Sequence, residues 1–305
     1  MCPLAPIGMT IAVTGSSGLL GSALVSRLVA DGNRVVPLRR RRDEKEAELF
    51  VPAAENRADP FSFGFDAVVH LAGEPIAGGR WNAAKKQRIR ESRVEGTRAL
   101  CQTLARQPSP PRVLVCASAI GFYGNRGDEL LDETSGSGEG FLAEVVRAWE
   151  QAAQPALGRG IRVVFLRFGM VLSGQGGALA KMCLPFRFGL GGAIGDGRQY
   201  WSWIALDDAV GALCHALTAK SLAGPVNGVA PHAVTNAAFV AALGQVLHRP
   251  ALARLPAWLA RMLLGQMADE LLLASARVTP RRLLETGYVF RHPELPAALR
   301  HVLGR

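Results

Sequence analysis

Thr10 to Thr14 (TIAVT) is a short apolar run rich in β-branched residues that ends directly in Gly15-Ser16-Ser17-Gly18-Leu19-Leu20-Gly21. A strand running straight into a glycine-rich turn constrains the fold more than any other feature of this chain. After the turn, Leu20, Ala23, Leu24, Leu28 and Val29 recur at helical spacing, and Asp31-Gly32-Asn33 stops the helix before a second strand from Arg34 to Leu38. The spacing therefore predicts a β-α-β unit with its helix over Leu19 to Ala30. Further strands are expected at Ala67 to Leu71, Val113 to Ala117 and Ile161 to Leu166, with helical patterns at Asn82 to Arg106 and Leu142 to Leu157 between them. Short apolar strands alternating with helices predict an α/β chain whose parallel sheet is covered on both faces through right-handed crossovers.

This alternation is that of a doubly wound Rossmann fold, expected over residues 9–215. Beyond about residue 215 the chain becomes Ala- and Leu-rich, with Pro231, Pro250, Pro256, Pro280, Pro293 and Pro296 punctuating short helices. Residues 216–305 are expected to form a smaller, mostly helical substrate-side region, because ligands of open α/β sheets sit beyond the carboxyl ends of the strands. A chain of 305 residues buries enough core to need neither disulfides nor metal. Cys2, Cys101, Cys116, Cys183 and Cys214 are odd in number and widely spaced, as buried thiols in a reducing cytoplasm would be. The apolar stretch Leu255 to Ala276 is broken by Arg261, Gln266, Asp269 and Glu270, so no membrane span is expected. Residues 1–8, with Pro3 and Pro6, read as a loose extension rather than a secretory signal. The net charge of +10 is mostly arginine, and the dense run Arg39 to Arg42 is followed at once by Asp43, Glu44, Glu46 and Glu48 without interleaved aromatics. That pattern argues against nucleic acid as a partner and for a small-molecule substrate.

The spacing Gly15-x-x-Gly18-x-x-Gly21 lies between a strand and a helix N-terminus, where phosphate binding needs it. Gly15 and Gly18 permit a tight turn and close backbone approach, Gly21 lets the helix lie near the strand, and the N–H groups of Ser16, Ser17, Leu19 and Leu20 join the cradle. At the end of the second strand, an acidic residue would accept hydrogen bonds from a free ribose 2′-hydroxyl, but the chain has Leu38-Arg39-Arg40-Arg41-Arg42. A guanidinium there holds a 2′-phosphate instead, so Arg39 and Arg40 point to NADP(H); the alternative is a solvated basic face.

Thr14 to Gly21 matches the T-G-x-x-G-x-x-G turn of the extended short-chain dehydrogenase/reductases, which the chain resembles. More narrowly it is similar to the atypical "epimerase family protein" group with a small C-terminal domain. The matching segments are Leu71-Ala-Gly-Glu-Pro-Ile76 with Arg80-Trp81, Ser118 to Gly124, Phe141-Leu-Ala143 with Trp149-Glu150, Gly176 to Met182, Gly195 to Gln199 running into Trp201 to Ile204, and Asp207-Asp208. Leu255 to Leu303 matches the C-terminal domain, which should span about 250–303. The resemblance implies an NADP(H)-dependent oxidoreductase or epimerase. It places Leu71, Ala72, Gly73 and Glu74 beside the cofactor's ribose and pyrophosphate, and Asp59 near its adenine, although Asp59-Pro60 also reads as a turn. Ser118 falls at or next to the family's catalytic serine, under the nicotinamide, and Arg167 and Phe168 should line the same crevice. A homodimer is compatible with the resemblance.

The family's hydride chemistry rests on a Tyr-x-x-x-Lys pair. Here the residues four beyond Tyr123, Tyr200 and Tyr288 are Gly127, Ile204 and His292, so the pair is absent. Trp201 also stands about where nucleotide-sugar epimerases carry an arginine. Candidate substitutes for the proton donor are Tyr123 and Glu144, against readings of each as packing and as a solvated helix residue. A non-catalytic NADP(H) sensor or scaffold is the alternative function. Trp201, Trp203, Phe186 and Phe188, near Lys181, Arg187 and Arg198, form either an apolar pocket with cationic rims or simply core. Asp207 or Asp208 is expected to cap a helix, and His215 to be structural.

Overall fold

The computed structural model describes residues 7–42, 48–52 and 64–305. Asp59 therefore lies outside the described residues. The main sheet is seven-stranded. Its strands are β1 (Thr10–Thr14), β2 (Arg34–Arg42), β3 (Glu48–Pro52), β4 (Ala67–His70), β5 (Val113–Ala119), β6 (Arg162–Phe168) and β7 (Gly224–Gly228). They lie side by side in the order β7-β6-β5-β4-β1-β2-β3. Six strands are parallel, and β3 returns antiparallel along β2. Strand order reverses between β1 and β4, and crevices for ligands open at such reversals.

Alternate side chains of the strands feed two separate layers, as the two-residue period of a strand requires. Ile11, Val13, Val69, Val115 and Val164 pack with helices α1 (Leu19–Ala30) and α4 (Leu206–Thr218) on one face. Ala12, Val68, Leu114, Cys116 and Val163 pack with α2 (Ala83–Ala105) on the other. Both faces being covered explains why these strands read as continuous apolar runs. Asn82 caps α2, its side chain accepting from Lys85 N at 2.8 Å. The helix expected from Leu142 to Leu157 is two, α3 (Phe141–Gln151) and a single turn Gln154–Gly158, because Pro155 has no N–H to carry the first onward. Cys101, Cys116, Cys183 and Cys214 are buried and in no disulfide, and burial pushes Cys101 up to about 12. No helix among the described residues is long and apolar enough to cross a membrane.

The sheet extends past residue 215, where the alternation fades, because β7 enters it at Gly224. With Gly224, Pro225 and Gly228, β7 has an edge strand's composition rather than an apolar run. Beyond it come helices Asn236–Leu247, Ala257–Leu264, Arg281–Glu285 and Leu295–Leu303, with a π-helical turn at Ala268–Leu273. Short parallel pairings tie this region back to the rest: Ala253–Leu255 runs along Gly192–Ile194, and Arg277–Val278 along Leu130–Leu131.

Neither expected aspartate caps α4, whose N-cap is Ala205. Both lie in its first turn, and Asp208, fully buried, accepts from the backbone N–H groups of Arg291 (2.7 Å) and His292 (2.9 Å). The Tyr288 hydroxyl donates to the Asp208 carbonyl at 2.9 Å. One carboxylate thus holds the 288–292 loop against α4. Replacing Asp208 with Ala removes the acceptor of two part-buried N–H donors and empties a buried site, and urea denaturation is expected to show a loss of about 2 kcal/mol; a loss below about 1 kcal/mol would mean that water replaces the carboxylate.

Candidate active site at the carboxyl edge of the sheet

Parallel register brings Thr14, Leu38, His70 and Cys116 level with one another across four strands. The segments that continue the chain beyond these four residues therefore gather at one edge of the sheet. After β1 the chain turns at Gly15, whose φ of +67° favours glycine. A Cβ on Gly15 would sit 2.7 Å from the Leu71 carbonyl carbon and 2.8 Å from Ala72 N, and one on Gly21 would lie 2.1 Å from Gly15 O. The three backbone segments are therefore packed against each other with no room for side chains. Thr14 Oγ1 locks this approach by accepting from Leu71 N (3.1 Å) and Ala72 N (3.2 Å). Its hydroxyl proton then goes to His70 Nδ1 at 2.7 Å, which leaves Nε2–H to donate to Thr97 Oγ1 at 3.0 Å.

The N-cap of α1 is Gly18, so no side chain caps the first turn, and that turn contains no acidic residue. Ser17 and Gly18 are exposed, Ser16, Leu19 and Leu20 half-buried, and Gly21 buried. Such a helix N-terminus presents N–H donors that no side chain has claimed, the arrangement to which anions are attracted. β2 continues to Arg42 instead of ending at Leu38, but its pairing with β1 does end at Leu38, so Arg39 is the first residue beyond the parallel sheet. The Arg39 side chain is exposed; Arg40 lies in the same strand, paired with Phe50, and its side chain falls outside the described residues.

The loop after β4 is braced from α2. Lys85 Nζ donates to Glu74 Oε1 at 2.6 Å, Glu74 N donates to Ser92 Oγ at 3.1 Å, and Arg93 NH1 donates to the Glu74 carbonyl at 3.1 Å. The Lys85 hydrogen bond, against some desolvation, keeps the Glu74 carboxyl below the usual range. The Arg93 guanidinium lies behind Gly73, where a Cβ would meet it at 3.4 Å, and burial pulls it down to about 10. Gly73 is exposed and Leu71 and Ala72 half-buried, so the three backbone units line the crevice opposite the glycine turn.

Ser118, Arg167 and Asn227 are in register on β5, β6 and β7. Their partners converge. Ser118 Oγ donates to Glu150 Oε1 (2.7 Å), and Arg167 grips the same carboxylate in a fork, Nε to Oε1 and NH2 to Oε2, both 2.8 Å. Burial works to lower the Arg167 pKa, but the hydrogen bonds and charge of Glu150 outweigh it and the net shift is upward. The guanidinium also lies 3.5 Å from the Phe122 ring centroid and donates from NH1 to the Tyr123 hydroxyl at 3.2 Å. Tyr123 is fully buried and its hydroxyl contacts Asn227 Oδ1 at 2.8 Å; burial raises its pKa, against the pull of Arg167. Glu144 is exposed in the first turn of α3 and does not join the cluster. Phe168, at the end of β6, is buried in the core against Gly228.

The aromatic pocket does not form. Trp201, Trp203 and Phe186 are core residues, with Trp203 fully buried, because Leu172, Phe239 and Leu243 pack around them, and Phe188 is exposed away from them. His215 is buried against Thr286 and burial lowers its pKa, a structural placement.

A model of the NAD-dependent epimerase/dehydratase family matches residues 11–230. The chain belongs to that family. A domain of unknown function, DUF1731, matches residues 255–302 of this epimerase-family chain. An epimerase family protein of Mycobacterium bovis is 42% identical over 296 residues, covering 97% of this chain and 98% of that protein. Human epimerase family protein SDR39U1 is 37% identical over 298 residues, covering 97% of this chain and 100% of the human protein. A crystal structure of human SDR39U1 with NADPH superposes with a TM-score of 0.86 at 36% identity, covering 97% of this chain and 100% of that one.

Beside this site Glu133 is buried, its Oε1 accepting from Asn227 N at 2.9 Å and Arg282 N at 3.2 Å while Oε2 has no partner. Burial raises its pKa, so the folded protein holds this proton more tightly than the unfolded chain does. The stabilisation from the protonated form is complete below the unfolded value of about 4.3 and is lost as pH rises through the folded value. Glu133→Gln is therefore expected to be at least as stable as the parent at pH 8 by urea denaturation and to lose this part of the decline above pH 5. A variant less stable than the parent at pH 8 would show that the carboxylate is satisfied in solution.

Proposed function

We propose that this chain is an NADP(H)-dependent oxidoreductase or epimerase acting on a small-molecule substrate, with Ser118 and Glu150 standing in for the missing tyrosine–lysine pair. The observation that carries the cofactor half is the α1 N-terminus, glycine-capped and free of acidic side chains, reached through a turn at Gly15 that lies too close to Leu71–Ala72 for any Cβ. The residues present fit a dinucleotide: N–H groups of Ser16 to Gly21 for the pyrophosphate, Leu71 to Glu74 along the ribose, and Arg39 with Arg40 for a 2′-phosphate. The NADPH in the human SDR39U1 structure, at 36% identity, supports the same choice. The bound nicotinamide supplies or accepts a hydride.

The proton is the protein's task. Ser118 Oγ–H already points at a carboxylate gripped by the fork from Arg167. When Ser118 Oγ accepts a substrate hydroxyl proton, its own proton passes to Glu150 Oε1, and the reverse path protonates a carbonyl oxygen. Tyr123 cannot share this role while its hydroxyl is buried against Asn227, and it positions Arg167 instead. The second reading, an NADP(H)-binding sensor or scaffold, draws on that same satisfaction: the hydroxyls of Ser118 and Tyr123 are both engaged inside the protein.

Tryptophan-fluorescence titration should show NADPH binding at least about tenfold tighter than NADH, the worth of one charge-assisted contact. Arg39→Asp with Arg40→Ser is expected to abolish that preference; an unchanged preference would remove the NADP assignment. In hydride transfer to a panel of carbonyl compounds and nucleotide sugars, Ser118→Ala should lower turnover about 100-fold or more with NADPH affinity kept within about threefold. Tight binding with no turnover by the parent on any panel member would favour the sensor reading.

A further inference from the structure

Far from the glycine turn in sequence, three metal-ligating side chains from three elements meet at the protein surface. Asp207 comes from the first turn of α4, His292 from the loop before the last helix, and His301 from the last turn of Leu295–Leu303. Their ligand atoms all lie within 4.8 Å of one another. His301 Nε2 is 2.5 Å from Asp207 Oδ2 and His292 Nε2 is 3.9 Å from the same oxygen. The two imidazoles stack, centroids 4.1 Å apart and planes 20° apart, so both present Nε2 to one carboxylate. We propose that Asp207, His292 and His301 form a binding site for a divalent transition-metal ion of the zinc class, fastening the C-terminal helix to α4.

Two imidazoles and one carboxylate are the ligand set zinc prefers where thiolates are absent, with a solvent molecule left to complete a tetrahedron. At metal–ligand lengths of about 2.1 Å, tetrahedral ligand atoms stand about 3.4 Å apart. The two carboxylate–imidazole separations, 2.5 Å and 3.9 Å, bracket that spacing. The site is braced, moreover, as metal sites are. Asp208 accepts from the backbone N–H of His292 and of Arg291, which fixes the loop that carries the first histidine. An ion from solvent can enter, because the side chains of Asp207 and His301 are 43% and 48% exposed and that of His292 is 20% exposed.

The test uses the full-length chain and Zn2+ alone, titrated by calorimetry after chelator treatment, with Co2+ as an optical probe. The expected result is one Zn2+ per chain, a rise of several degrees in Tm at saturation, and the visible absorption of a tetrahedral N/O cobalt site. His292→Gln and His301→Gln should each weaken Zn2+ at least tenfold and abolish the Tm rise. His232→Ala should change nothing, since His232 is a separate surface histidine 3.5 Å from Glu294. If a histidine variant fails to fold, Asp207→Asn, which keeps the side-chain shape at a half-exposed position, carries the same expectation. Absence of stoichiometric binding, equal loss in His232→Ala, or a thiolate-to-cobalt charge-transfer band would overturn the proposal.

Discussion

The structure depends on how closely β1 and the chain after β4 can approach at the point where strand order reverses. Gly15 meets the Leu71–Ala72 peptide at a distance that excludes a Cβ, and Thr14 accepts the N–H groups at this contact, Leu71 N on its carbonyl and Oγ1 and Ala72 N on Oγ1. Buried backbone donors are expensive to strand, so the approach and the hydrogen bonds require each other. His70 and Thr97 extend the same network into α2, and Trp149 Nε1 donates to Thr97 Oγ1 at 2.8 Å from α3. One threonine hydroxyl thereby couples the glycine turn to the helix that carries Glu150.

Glu150 and Arg167 are a second, costlier device. Taking both charges out of water offsets most of their mutual attraction, so the pair contributes little to stability by comparison with well-packed apolar residues. Its effect is on specificity of arrangement. The planar fork admits one relative placement of α3 and β6, and Ser118, Phe122 and Tyr123 are seated around it. Groups that need fixed directions in a crevice gain from such a scaffold even when the fold as a whole does not.

The first strand and helix were legible to the residue, since a two-residue period changes to a helical one across Gly15 to Gly21 and α1 stops at Asp31-Gly32, whereas β2 runs four residues past its expected end at Leu38. Strand β3 was not, because its partner is the arginine run, whose charges read as the end of a strand rather than as its continuation. β7 was hidden for the opposite reason: an edge strand with two glycines and a proline carries no apolar signal. In the site, the glycines and Ser118 are visible as motif positions, whereas the role of Glu150 is not. It stands six residues from Glu144 on α3, about 240° around the helix, and nothing in the alternation says which of the two acids meets the sheet. Only the placement of Arg167 on a neighbouring strand decides that. The aromatic cluster shows the complementary limit, for tryptophans beside arginines read alike whether they line a pocket or fill the core.

The C-terminal region is bound into the fold by long-range contacts, and this has a bearing on how the chain is made. The Asp208 carboxylate waits for partners 83 and 84 positions further on, and Arg277–Val278 must return to Leu130–Leu131. A ribosome releasing this polypeptide thus exposes, for the time taken to add those residues, a buried-type carboxylate with no donors and a short strand with an open side. The seven-stranded sheet has all its strands by Gly228, but the partners of Asp208 and of Leu130–Leu131 are made later. A chain ending before Tyr288 would keep that carboxylate without its two backbone donors, so these contacts belong to the fold as a whole and not to a separable appendage.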